Sequence, residues 1–229
     1  MPAPSTAAPS TYPWLAPARL AVAALVAVAL CFSGYRAASD PTGVVNFFSY
    51  FTNLGNLAVV AVLGYGGWAG LTGRRPVPDE VRGAVVLYLV IAGLVYGTLL
   101  AKYPEQLVIP WVDDVLHRAI PLVVLADWLI DPPARRIRPV VVLGWMAFPL
   151  LYVVYALLRG HAVDWYPYPF LDPTLHGGYR RVAGACFLTA VAFVLVGAAV
   201  AAVGNVLAAH RDARDGAVPR GRHAGAGTG

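Results

Sequence analysis

Residues 181–209 read RVAGACFLTAVAFVLVGAAVAAVGNVLAA, with Arg181 as the sole charged side chain and Asn205 the most polar of the rest. Crossing roughly 30 Å of hydrocarbon takes about 20 helical residues, and this stretch exceeds that. Ala, Val, Leu and Gly at such density describe a helix that is apolar on every side, the pattern of a membrane span. The reading then extends outward. Similar runs recur at Ala18–Gly34, Asn46–Gly70, Arg82–Ala101, Trp111–Ile130 and Pro139–Leu158.

The whole composition agrees. Of the 229 residues, 59% are hydrophobic and 13% are charged, and the mean hydropathy is +0.63. Soluble domains carry about 25% charged residues. The expected fold class is therefore all-α: a polytopic transmembrane bundle of six helices over residues 18–209. Residues 1–17, rich in Pro, Ala, Ser and Thr, and residues 210–229 are expected to be disordered. The first run lacks a basic residue before Arg19 and a clear cleavage site, so it reads as a retained helix and not a signal peptide.

Punctuation by Asp40-Pro41, Pro76–Pro78, Tyr103-Pro104, Asp131–Pro133 and Gly177-Gly178 separates the spans. Pro149, inside the fifth, predicts a kink. Gly66/Gly70 and Gly93/Gly97 have the small-xxx-small spacing that lets helices approach closely.

The net charge of +5 and pI near 9.4 do not indicate nucleic acid as a partner, because the basic residues lie between apolar spans with no basic stripe. They set orientation instead. Arg19, Arg74, Arg75, Arg82, Arg135, Arg136, Arg138, Arg211, Arg214, Arg220 and Arg222 fall on one side of the six-span scheme. Arg36, Lys102, Arg159, Arg180 and Arg181 fall on the other. Eleven against five places both termini in the cytoplasm.

Ionisable and polar groups inside a span cost energy and need an explanation. The second span carries Ser49, Thr52, Asn53 and Asn56 along one helical face, and the fourth carries Asp113, Asp114, His117 and Arg118, then Asp127. At 1.5 Å rise per residue, Thr52 and His117 each lie about 9 Å below the outer surface. Asp113 and His117 are one turn apart on one face. A carboxylate holding an imidazole, with a threonine hydroxyl at the same depth, has the makings of nucleophile, base and orienter. The alternative is interhelical hydrogen bonding for the second-span group and helix-end electrostatics for Asp113 and Asp114. Asp127, with Trp128, reads as an anchor near the inner interface. No dinucleotide, phosphate-loop or zinc motif occurs, so no cofactor or metal is expected. Cys31 and Cys186 form no C-x-x-C pair and read as separate thiols. Between Arg159 and Arg180, the aromatics Trp165, Tyr166, Tyr168 and Phe170 alternate with prolines. They read as an interfacial anchor or as a lid over the bundle mouth.

Three motifs carry a resemblance: Tyr50-Phe51-Thr52-Asn53-Leu54-Gly55-Asn56-Leu57, then His117-Arg118-Ala119-Ile120-Pro121 running on to Asp127-Trp128-Leu129, then Tyr166-Pro167-Tyr168-Pro169-Phe170-Leu171-Asp172. Together they resemble the bacterial Pr6Pr family of membrane proteins over roughly residues 18–208, which implies a multi-pass protein of the bacterial inner membrane. More distantly, the Phe-Thr of the second span and the His upstream of a Pro in the fourth resemble the androgen-induced gene 1/FAR-17a-like family of threonine hydrolases. That resemblance implies Thr52 as nucleophile, His117 as base and a lipid ester as substrate, with membrane lipids as neighbours. Asp113 would orient the base, and Asn53 or Asn56 would donate to an oxyanion. The His-to-Pro spacing is shorter here and the aromatic loop differs, so the substrate class stays open. A non-enzymatic protein, whether small-solute carrier, sensor or scaffold, is the alternative.

Overall fold

A computed structural model describes residues 12–39, 43–100 and 109–217. The described residues are mostly helical, with no strand among them. The elements are α1 (Leu15–Ala38), α2 (Gly43–Phe48), α3 (Phe51–Thr72), α4 (Asp79–Val95), α5 (Pro110–Asp113), α6 (Ile120–Ile130), α7 (Pro139–Trp145), α8 (Ala147–Val163) and α9 (Gly178–Ala217). A π-helical turn, Tyr96–Leu100, continues α4, and another, Asp114–Ala119, joins α5 to α6.

Five helical stretches are long and apolar enough to cross a membrane: Leu15–Ala38, Phe51–Thr72, Asp79–Leu99, Pro139–Val163 and Gly178–Arg214. The fourth expected span is helical from Pro110 to Ile130 but does not join them. It is broken into α, π and α segments, and it carries Asp113, Asp114, Arg118 and Asp127. The second expected span is also divided, because α2 ends at Phe48 and α3 starts at Phe51. At its other end, α9 runs on to Ala217, into the segment expected to be a disordered tail. Residues 1–11 and 218–229 of the two expected disordered ends lie outside the described residues, as does Lys102.

The irregularities have local causes. Pro149 has no N–H for the Trp145 carbonyl, and its ring crowds that carbonyl, so the expected kink is a break between α7 and α8. The Tyr88 hydroxyl donates to the freed Trp145 carbonyl at 2.8 Å. Pro121 acts similarly on the π turn. Ile120 N–H reaches back to Val115 O, so the next bond in that register would come from residue 121 to Leu116 O. Proline has no hydrogen to give. The Asn56 amide supplies it instead, donating to Leu116 O at 3.2 Å.

Close approach of helices explains where glycine sits. A methyl group at Gly67 would lie 2.7 Å from the Ala16 carbonyl oxygen, and one at Gly70 would lie 2.9 Å from Ala16 Cβ. Thus α3 packs on α1 through Gly67 and Gly70, whereas Gly66 of the expected pair has only looser contacts. Gly93 of the second pair meets Pro121, and Gly97 meets nothing.

One end of the bundle is held by charge. Arg19 binds Asp127 through Nε at 2.7 Å and Asp131 through Nη2 at 2.7 Å. Arg82 binds Asp127 at 3.2 Å, and its guanidinium lies over the Trp128 ring. Asp127 is therefore a buried junction of α1, α4 and α6 as well as a neighbour of Trp128.

Candidate functional site

The polar residues of the second span are among the most buried in the molecule: Ser49, Thr52, Asn53 and Asn56 are each 6% exposed or less. Their position follows from the break between α2 and α3. At the start of α3 the first N–H groups have no helical acceptor. Tyr50 occupies the cap position but gives no side-chain cap.

The loop that follows α8 covers this helix start through ring contacts on Tyr50. After α8, Asp164 adopts a left-handed conformation (φ 51°), and the chain turns back over the bundle. Aspartate tolerates that conformation better than most residues. Tyr166 then packs on Gly160, which has no side chain to obstruct it. Tyr168 follows and is buried, its ring edge-on to Tyr50 at 5.7 Å and stacked on Phe170 at 5.1 Å. Burial pushes the Tyr168 phenol above its ordinary value, while the neighbouring Thr52 hydroxyl, the Thr52 and Phe51 backbone and the Tyr152 hydroxyl pull the other way. It stays protonated at neutral pH.

The hydroxyls form a chain. Ser49 donates to Val45 O at 2.7 Å, so Tyr155 donates to Ser49 Oγ, also at 2.7 Å. Tyr152 donates to Ser49 O at 2.9 Å.

Beside this cluster is a cavity of about 60 Å³ between α4, α8 and α9. Thr52, Tyr152 and Tyr168 form its polar wall. Ile91, Val95, Phe170, Leu171 and Phe193 supply apolar surface, and Cys186 and Thr189 also face it.

The expected site residues divide into two groups. Thr52, Tyr168 and Phe170 meet at the cavity, while Trp165 and Tyr166 lie outside its lining. Trp165 packs edge-on to Tyr50 at 5.6 Å, with Arg159 over its ring. His117 and Asp113 form the second group: Nδ1 is 3.0 Å from Oδ1, without the angle of a hydrogen bond. The other Asp113 oxygen accepts from Tyr96, whose ring stacks on His117 at 4.5 Å. No hydrogen bond between Thr52 and His117 is present among the described residues. Asn53 and Asn56, expected as oxyanion donors, use their amides on Phe47 O (2.7 Å) and on Thr52 O (2.9 Å) and Leu116 O. Asn56 Oδ1 is buried without a partner. Asp114 pairs with Arg118 on the exposed side of the turn. Cys31 and Cys186 are free thiols.

Sequence reasoning missed Tyr96, Tyr152 and Tyr155. Tyrosine in a span is usually placed at the interface. A signal was nonetheless present: Tyr152 and Tyr155 are i, i+3 and follow Pro149 by less than two turns, so they share a face where the helix restarts.

Neither a family model, nor a curated protein, nor a solved structure matches this chain.

Proposed function

We propose that the chain is a six-span protein of the bacterial cell membrane, with both termini in the cytoplasm and Pro110–Ile130 as the additional crossing. We further propose that its outer half takes an amphiphilic lipid between α4, α8 and α9, with the lipid's polar end at Thr52. The observation that carries this is that Thr52, Tyr152 and Tyr168 line one cavity whose surface is otherwise mostly apolar. Ligand sites pair an apolar surface with a few placed polar groups in this way. A small-solute carrier is disfavoured. Buried Val59, Leu63, Leu87 and Leu89 separate the outer polar group from Asp127, leaving no continuous polar path among the described residues.

A diazirine-bearing fatty acid ester, photolysed with the purified protein, tests this reading. Crosslinks are expected on peptides containing residues 149–153 and 186–193, and Thr189→Trp should suppress them. Crosslinks spread over the outward faces of all helices, and unaffected by Thr189→Trp, would overturn it.

The Asp113–His117 pair favours a second reading, hydrolysis of the bound lipid ester. Thr52 Oγ would attack the ester carbonyl as its proton passes to His117. The tetrahedral oxyanion would collapse with expulsion of the alcohol, which takes that proton. Water, deprotonated by the same imidazole, would then release the acid from Thr52 and restore the hydroxyl. This requires the imidazole to turn from Tyr96 to Thr52. Catalytic contacts that tighten only with substrate are common. A fluorophosphonate probe should label the wild type and neither Thr52→Ala nor His117→Ala. An unlabelled, folded wild type would leave the lipid-binding reading standing and remove this one.

A further inference from the structure

Residues 131–138, which link α6 to α7, are tied to other elements along most of their length. Arg211 of α9 donates to Pro132 O at 3.0 Å and to Pro133 O at 3.2 Å. The Ala134 N–H donates to Asp79, at the start of α4, at 2.6 Å. Asn205 of α9 holds both backbone groups of Ile137: its Oδ1 accepts from the N–H at 2.7 Å, and its amide donates to the carbonyl at 3.0 Å. Pro132, Pro133 and Ile137 are buried, and Arg135, Arg136 and Arg138 are left exposed.

The protein does not neutralise those three charges. No carboxylate pairs with them among the described residues, and the acids beside the loop are already engaged. Asp131 binds Arg19 and Arg82, and Asp79 binds Arg82 and the Ala134 N–H. We propose that residues 131–138 form a site for the phosphate of an anionic phospholipid headgroup, with Arg135, Arg136 and Arg138 as its cationic contacts. The level of the loop suits that occupant. Arg138 directly precedes Pro139, the first residue of a stretch long and apolar enough to cross a membrane. Guanidinium forks match phosphate oxygens in pairs, and basic pockets between membrane helices take such headgroups. An excess of basic residues can orient a chain without any fixed arrangement. Here the backbone carrying the arginines is held before the lipid arrives, which lowers the ordering cost of binding. The site requires only that the apolar helices lie in a membrane; it is independent of the cavity and of the direction of insertion.

Native mass spectrometry of the full chain in a neutral detergent, titrated with phosphatidylglycerol or phosphatidylcholine, reads lipid binding directly. The wild type should prefer phosphatidylglycerol. Arg135→Gln, Arg136→Gln and Arg138→Gln combined should weaken phosphatidylglycerol binding roughly 10–100-fold. The charge-matched control combines Arg74→Gln, Arg75→Gln and Arg214→Gln, exposed arginines outside the loop, and should change it little. Asn205→Leu keeps every arginine but frees Ile137, so it should also weaken binding. If Asn205→Leu does not fold, the two arginine triples decide. Equal losses in both triples, or full binding by a folded Asn205→Leu, would reduce the effect to diffuse charge and overturn the site. Displacement of the lipid by an equal concentration of glycerol phosphate would identify a soluble phosphate ligand and likewise overturn it.

Discussion

Asn56 illustrates how much one side chain can carry inside a membrane bundle. It is fully buried, and its amide bridges the carbonyl of Thr52 on its own helix and that of Leu116 on the π turn. The first contact duplicates what the helix already provides. The second does not, because Pro121 leaves Leu116 O without a backbone partner in that register. Replacing Asn56 by leucine keeps the volume and strands that carbonyl in an apolar setting. An orphaned buried polar group costs about 1–3 kcal/mol. Thermal unfolding of Asn56→Leu in detergent should show a loss of that order. A loss below about 0.5 kcal/mol, the floor for a typical hydrogen bond, would mean that Leu116 O finds water or another donor.

At the level of elements, the two prolines within expected spans separate what sequence reveals from what it does not. A proline in a span announces a disturbance, and the break at Pro149 was legible. Whether the helix kinks, breaks or widens into a π turn depends on which neighbour offers a donor, and that neighbour lies on another helix. Tyr88 serves Trp145 O, and Asn56 serves Leu116 O. Pro121→Ala gives the π turn its missing N–H, so the cost of Asn56→Leu should shrink in that background. A double-mutant cycle by thermal unfolding would then show a coupling of about 0.5–3 kcal/mol. Additive losses would mean that the two residues act separately. The same distinction applies to the site. The depth of Thr52 and the i, i+4 pairing of Asp113 with His117 follow from spacing alone. The meeting of Thr52 with Tyr168 at the cavity does not, since it depends on the rotation of α3 and on a loop folding inward. An uncapped α3 start at Tyr50-Phe51-Thr52 was the available clue.

For the whole molecule, the distribution of buried charge and the basic-residue count address the same question. Arg19, Arg82, Asp127 and Asp131 join α1, α4 and α6 at one end. Deleting members of that group should not be equivalent. Arg19→Met leaves Asp127 paired with Arg82, whereas Asp127→Leu removes the one carboxylate that joins both guanidiniums at the centre, leaving Arg19 with Asp131 alone and Arg82 with Asp131 and Asp79. Uncompensated buried charge costs about 3–5 kcal/mol, so Asp127→Leu should lower the melting temperature more than Arg19→Met. Equal shifts would mean that water reaches the junction. This end also carries Arg74, Arg75 and Arg135, and in the proposed orientation it faces the cytoplasm. An odd number of crossings would put the termini on opposite sides, so the status of Pro110–Ile130 and the orientation can be read together. In a background carrying Cys31→Ser and Cys186→Ser, single thiols from Arg75→Cys, Arg135→Cys and His176→Cys can be probed in spheroplasts with an impermeant maleimide. Reaction at the His176 position alone is the expected result, because the Arg75 and Arg135 positions are then both internal and the chain between them crosses twice. Reaction at the Arg135 position but not at Arg75 would remove Pro110–Ile130 as a crossing and leave the five apolar helices to span the membrane alone.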